Sequence, residues 1–154
     1  MDQSIDLVVF TLDEQQYAIR LPAVERVVRA VAVTALPRAP VIVFGVVNVQ
    51  GVIMPVVNLR LRLGLAPRAI DVSNQFIIAH TAQRPVVLVT DTVVGVFEIA
   101  RQKIVATEGI APGLAALKAV AKLGTDLLFI YDLDTFLSVE EERILGDALE
   151  AARI

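Results

Sequence analysis

The chain has no cysteine, no tryptophan, one histidine and only three serines in 154 residues. Without cysteine there is no disulfide framework and no thiolate to act as nucleophile or metal ligand. His80 by itself cannot make a structural zinc site without several carboxylates beside it, and it reads as an ordinary strand residue. Ser4, Ser73 and Ser138 do not lie in a nucleophile elbow. No glycine-rich phosphate loop is present, neither GxxxxGK[ST] nor GxGxxG. Aromatic residues make up only 5%, and 14 Lys and Arg stand against 17 Asp and Glu, a net charge of −3. That balance disfavours a nucleic-acid surface, although Arg60, Arg62 and Arg68 form a local basic cluster. The longest apolar stretch, Val41–Leu59, is interrupted by Asn48, Gln50, Pro55 and Asn58 and broken at Gly45 and Gly51. It does not read as a transmembrane span. The first residues, MDQSIDLVVF, carry no basic region, so they do not read as a secretory signal, and a cytoplasmic location is the default expectation. The residues supply no catalytic constellation, no cofactor site and no metal site. Asp132 and Asp134 stand two apart, a spacing that occurs more often where a strand ends than where a cation binds.

Hydrophobic residues make up 56% of the chain, and Val, Ile and Leu dominate them. That is enough for a sizeable core, and the β-branched residues favour strands. The central stretch is Gly45 to Leu65. Two apolar runs, Val46–Val49 and Val52–Leu59, flank Gln50-Gly51, where glycine supplies the positive φ of a tight hairpin. The second run is apolar at both parities, so it is covered on both sides, by its own core and by a partner or the other half of the chain. Pro55 cannot donate a backbone hydrogen bond and calls for an edge or a bulge.

Around this hairpin the order is mostly strand. Leu7–Leu12 and Tyr17–Leu21 pair about a polar turn, followed by a short segment Pro22–Arg26 with proline at a first helical position. There Val24, Val27 and Val28 are expected to face inward. Val31–Leu36 alternates loosely before the stiff connector Pro37–Pro40. Arg60 to Gly64 suggests a short helical turn. Gln75–His80 and Pro85–Thr90 form a second hairpin, and Val93–Ile99 is a strand with a glycine bend. Arg101–Gly109 is a polar loop or single turn. Pro112–Lys122 is open between helix and short strand, and Asp126–Tyr131 is a strand. Ser138 and Glu141 form a capping box that opens a helix lined by Ile144, Leu145, Ala148, Leu149 and Ala152.

A repeat underlies this order. Leu7–Val28 and Phe76–Phe97 align at a constant offset of 69 residues. Each reads strand, polar turn, strand, then V-x-x-V (Val24/Val27 and Val93/Val96). Asn58-Leu59 is echoed by Asp132-Leu133. One copy is too small to be stable alone, so two copies packed together are expected. The fold class is mostly β: two small barrels side by side plus a C-terminal helix. The halves are 5–65 and 70–137, with the helix at 138–153.

From Pro40 the chain reads PVIVFGVVNVQGVIMPVVNLR, which fits P-x-x-x-x-G-V-x-N-x-x-G-x-x-x-P-V-x-[DN]-L-R. With FTLDEQQYAI, LVTDTVVGVFEI and LLFIYDLDTFLS in the same order, this closely resembles the CheW family of bacterial chemotaxis adaptors. The resemblance covers Leu7 to Ser138. It implies two five-stranded, SH3-like barrels in a single CheW-like domain, and a scaffold without enzymatic activity. It implies two partners: the regulatory domain of the histidine kinase CheA, and the cytoplasmic tip of a methyl-accepting chemoreceptor. No nucleic acid and no direct membrane insertion are implied. Carried onto this chain, partner contact falls near Val24, Arg26, Asn48, Gln50 and Asn58. Asn48 and Asn58 also suit turn capping, and Gln50 a solvent-facing turn. Three of the five depart from the family pattern. Gln50 stands where arginine is usual and Asn58 where aspartate is usual. Arg26 stands where glutamate is common. Such changes alter electrostatic pairing more than contact area. They raise one alternative, an adaptor of a divergent or pilus-type chemosensory pathway; a separate alternative is a regulatory β module for a different ligand.

Overall fold

The computed structural model describes residues 3–106 and 117–152. Its strands are β1 (Ser4–Leu12), β2 (Gln15–Arg20), β3 (Val24–Arg29), β4 (Val43–Val49), β5 (Val52–Val57) and β6 (Gln75–His80), then β7 (Pro85–Thr90), β8 (Thr92–Ala100), β9 (Ile104–Ala106), β10 (Leu117–Leu123) and β11 (Asp126–Tyr131). Helix α1 spans Leu59–Arg62 and helix α2 spans Val139–Ala151.

The strands form two SH3-like barrel sheets, ordered β3-β6-β7-β5-β4 and β8-β1-β2-β11-β10-β9. The second has six strands where five were expected, because the 3₁₀ turn Arg101–Lys103 separates β8 from β9. The expected division into halves 5–65 and 70–137 does not describe either sheet. Hairpin β1–β2 pairs with β8 and β11, and hairpin β6–β7 pairs with β3 and β5. Each half therefore lends its first hairpin to the other's barrel. The joins β5/β7 and β11/β2 are parallel. A short turn cannot make such a join, so strands distant in sequence must meet there. The repeat is thus a structural one with its hairpins exchanged.

The exchange explains the double-sided apolar strands. Alternate residues of one strand face different cores. Leu7 and Val9 fill the interior of the six-stranded barrel with Ala121 and Leu128. Val8 and Phe10 face the other way, into a core between the barrels that also holds Val57, Ile77, Leu88 and Leu133. Met54 and Val56 line the interior of the five-stranded barrel with Phe76 and Val87. The second covering of β5 is the other half of the same chain. β7 pairs only with Val56 and Val57, so the beginning of β5, up to Pro55, has an edge on that side, as the proline requires.

Several local expectations change. Where a helical start was expected over Pro22–Arg26, a single 3₁₀ turn spans Leu21–Ala23, with Pro22 at its start, and Val24–Arg29 is a strand. Its burial alternates with period two, so Val27 faces outward rather than in. Val31–Leu36 contributes one isolated bridge, Thr34 to Val46, which ties it to β4. Leu117–Leu123 is a strand and not a helix; residues 107–116, including Leu114, lie outside the described residues. Helix α2 has the anticipated capping box: Ser138 Oγ accepts from Glu141 N at 3.0 Å, and Glu141 Oε1 accepts from Ser138 N at 2.8 Å. Leu145 and Ala148 bury fully, Ile144 and Leu149 partly, and Ala152 is exposed at the helix end.

Candidate interaction site

The β4–β5 hairpin ends in Gln50 and Gly51, at φ 50° and 87°. Two positive φ values in a two-residue loop match the twist of the flanking strands. Asn48 holds the turn, its Oδ1 accepting from Gly51 N at 2.8 Å. Beside Gln50, Val52 is 47% and Ile53 51% exposed, so aliphatic side chains flank the tip. Behind it, a groove of about 590 Å³ runs between the hairpin and α2, lined by Leu36, Val46, Ile53 and Leu149.

Asn58 sits at the other end of β5. Its Oδ1 caps α1 by accepting from Leu61 N at 3.3 Å, and its own N donates to Ile42 O at 2.7 Å. Half-buried Val24 packs at the edge of the inter-barrel core. Arg26 follows, where a bulge interrupts the β3–β6 register. Its Nε lies 3.6 Å from Glu25 Oε2, while Glu25 Oε1 lies 3.1 Å from His80 Nε2. The five residues thus fall into separate groups. Asn48 and Gln50 share one turn, Val24 and Arg26 share β3 at the opposite edge of that sheet, and Asn58 is a cap.

The expected basic cluster is not free. Arg60 is 7% exposed and bidentate to Asp13, with Nη1–Oδ2 2.9 Å and Nη2–Oδ1 2.7 Å. Its Nη2 also reaches Asp91 at 3.3 Å, and Arg68 approaches both acids, at 3.4 and 3.8 Å. The Arg60 hydrogen bond holds the Asp13 carboxyl below the usual aspartate range. Arg62 pairs with Glu141 and Arg84 with Glu142, so two arginines hold the start of α2. Sequence reasoning missed this clasp, although the repeat carried a signal for it. Asp132 caps the turn after β11 as Asn58 caps α1, and Asp134 Oδ1 accepts from Ala82 N at 2.7 Å. The closing turn of each barrel therefore reaches to the tip of a hairpin in the other barrel. Also missed were exposed Val94 and Val96 on β8, the repeat counterpart of β3. Period-two alternation in Val93–Ile99 was the available signal.

Among the described residues no group of three or more His, Asp or Glu is placed to hold a metal ion. Asp132 and Asp134 spend their oxygens on backbone N–H groups instead. Among the same residues no helix is long and apolar enough to cross a membrane.

A family profile for the CheW-like domain matches residues 6–141. The chain belongs to the CheW-like domain family. It is 27% identical to the chemotaxis protein CheW of Klebsiella aerogenes, over 95% of this chain and 89% of that one. It is 25% identical to the CheW of Treponema pallidum, with the same coverage. The crystal structure of the scaffolding protein TtCheW from Thermoanaerobacter tengcongensis superposes with a TM-score of 0.81 at 27% identity, covering 89% of this chain and 94% of that one. The CheW-like chain described here is a chemotaxis coupling adaptor. These relatives carry chemotaxis names, which favours that reading over a pilus-type pathway or a module for another ligand.

Proposed function

We propose that this CheW-like adaptor works in the cytoplasm without catalysis, joining the regulatory domain of the histidine kinase CheA to the cytoplasmic tip of a methyl-accepting chemoreceptor. The observation that carries the reading is the hairpin tip, where Val52 and Ile53 stay exposed around Gln50 on a turn that Asn48 holds rigid. A rigid tip with apolar flanks suits protein contact, because little ordering entropy is lost on docking. Val24 and Arg26 on β3 offer a second contact region. Asn48 and Asn58 act on partners through the backbone they cap, which makes them positioning residues. Gln50 and Arg26 set charge selectivity. Neither presents the charge usual in the family, so the partner surfaces facing them differ in charge too.

Co-sedimentation with the kinase regulatory domain, and separately with the receptor tip, tests this. The native chain binds both. Gln50→Arg and Arg26→Glu shift preference toward partners from an ordinary chemotaxis set. Absence of binding by the native chain and by both variants sinks the proposal, as does measured turnover of a substrate.

A further inference from the structure

Six arginines are neutralised within the fold: Arg26, Arg60, Arg62, Arg68, Arg84 and Arg143 each have a carboxylate partner. The lysines are distributed differently. The chain has three, Lys103, Lys118 and Lys122, which fall in the 3₁₀ turn Arg101–Lys103 and in β10. Neither that turn nor β9 nor β10 contains an Asp or Glu. All three lysines are exposed, and none has an ion-pair partner among the described residues. A chain of net charge −3 has thus gathered its lysines on elements without acids.

Strand alternation decides which of these side chains share a face. Ala119 and Ala121 are buried in the interior of the six-stranded barrel. Lys118, Val120 and Lys122 therefore point outward together. Val120 stands directly opposite Val105 on β9 and Phe129 on β11, and Phe129 stands opposite Tyr17 on β2. Residues directly opposite one another lie on the same face of a sheet. An apolar row thus crosses the strands, from Val105, 63% exposed, through half-buried Val120 and Phe129 to Tyr17, which is buried in the core between the barrels. Lys118 and Lys122 flank this row, one on each side. Leu127, 51% exposed, stands opposite Lys122. Asp126, the one acid of β11, pairs with Leu123, whose side chain packs on the barrel interior, so it belongs to the other face. Strand spacing makes the row from Val105 to Phe129 about 10 Å long, and four residues along β10 set the two lysines about 13 Å apart.

An α-helix with its side chains is about 10–12 Å across, so one laid along the row fits between the lysines. We propose that the outer face of β9, β10 and β11 docks an acidic amphipathic helix of a partner protein. Its apolar stripe covers Val105, Val120 and Phe129, and Asp or Glu on the two flanks of the stripe pair with Lys118 and Lys122. Charge complementarity selects this occupant: unpaired cations on both sides of an apolar row match anions on both sides of an apolar stripe, which a helix carries at i, i+3, i+4 and i+7. Helix α2 of a second copy does not qualify, because its apolar face is already buried on its own core. An anionic membrane is recognised by clusters of about four to eight cations, whereas this row is flanked by Lys118 and Lys122 alone. The overall charge of −3 opposes membrane and nucleic acid alike. The hairpin tip and β3 belong to the five-stranded sheet, so this contact is separate from both regions of the proposed function. Exposed charge contributes much of it, so it is salt-sensitive.

Fluorescence anisotropy of a labelled synthetic helix tests the proposal. The probe carries a leucine stripe flanked on both sides by glutamate, with a hydrocarbon staple on its remaining face to hold it helical. The native chain binds it at low ionic strength and more weakly at high. The double variant Lys118→Glu/Lys122→Glu binds at least tenfold more weakly, and it binds instead the stapled helix in which lysine replaces each glutamate. Val105→Ser weakens binding of the glutamate helix without changing its salt dependence. Circular dichroism checks that each variant folds; if the double reversal does not, Lys118→Gln/Lys122→Gln takes its place, with weakening again expected. A native chain that does not bind the glutamate helix overturns the proposal. So do a folded double variant that binds it undiminished, equal binding of a helix of the same composition with the glutamates moved off the flanks, and phosphatidylserine vesicles or duplex DNA that displace the helix from the lysines.

Discussion

Gly45 has no room for a side chain. A Cβ built there would lie 2.2 Å from Thr34 O and 2.8 Å from Thr34 C, both backbone atoms of the segment bridged to β4. Neither can give way without breaking the Thr34–Val46 bridge. Gly45→Ala should therefore lower stability by about 1–3 kcal/mol, the range for overpacking, read as a lower urea midpoint with unchanged slope. Arg60 is the other exacting position. Its guanidinium separates Asp13 from Asp91, and Asp91 Oδ2 also accepts from Asp13 N at 2.8 Å. Arg60→Met leaves the two carboxylates facing each other without the cation. It should unfold at a clearly lower temperature than the native chain, and Asp13→Asn should recover part of the loss in the double variant. If the two single variants simply add in calorimetry, the coupling inferred from the geometry is wrong.

At the scale of the element, α2 shows how a local signal acts at long range. Ser138 and Glu141 satisfy N–H groups at the helix start, which no intrahelical acceptor reaches. Glu141 also pairs with Arg62 across the inter-barrel junction. Burial pushes the Glu141 carboxyl up, but the Arg62 and Ser138 hydrogen bonds outweigh that and leave it below the usual glutamate range. Ser138→Ala should cost about 1 kcal/mol, the typical loss of an N-cap. Leu145→Ala, in the core between the barrels, should cost about 2–5 kcal/mol. Chemical denaturation reads both. The cap is legible in sequence because it depends on residues three apart. The docking of α2 is not, because Arg62 and Arg84 come from α1 and from the turn between β6 and β7.

At the scale of the molecule, exchange of hairpins makes the barrels depend on each other. Neither half of the chain contains a complete sheet. Fragments 1–70 and 71–154, expressed apart, should lack cooperative unfolding and regain it when mixed. Two fragments that each unfold cooperatively would refute the dependence. Stability should also fall at both ends of the pH range. Asp13 and Glu141 have depressed folded values, so their contribution is present above the unfolded carboxylate range, about pH 4, and is lost as pH falls through the folded values. Tyr131 goes the other way. Burial, then Tyr17 nearby, pushes its phenol up to about 12, from the ordinary tyrosine value of about 10. The folded state holds that proton more tightly, so this contribution is present below the unfolded value and is lost as pH rises through about 12. Tyr131→Phe should flatten the alkaline limb of the unfolding profile, and a native-like limb in that variant would sink the assignment.

Local chemistry determined much of this protein from the sequence by itself. Gln50-Gly51 specified a hairpin because glycine readily takes the positive φ of a tight turn, Ser138 and Glu141 specified a helix start, and alternating valines specified strands. The spacing of the repeat announced two related units. Tertiary structure alone decided which hairpin closes which barrel. It set Val27 outward and turned Arg60 inward onto Asp13 and Asp91. It also decided that the second cover on β5 is the chain's other half and not a partner. The physical reason is that a strand apolar on both faces states that it needs two neighbours without naming them. Only the joint packing of three cores selects one pairing from the several that satisfy every strand locally.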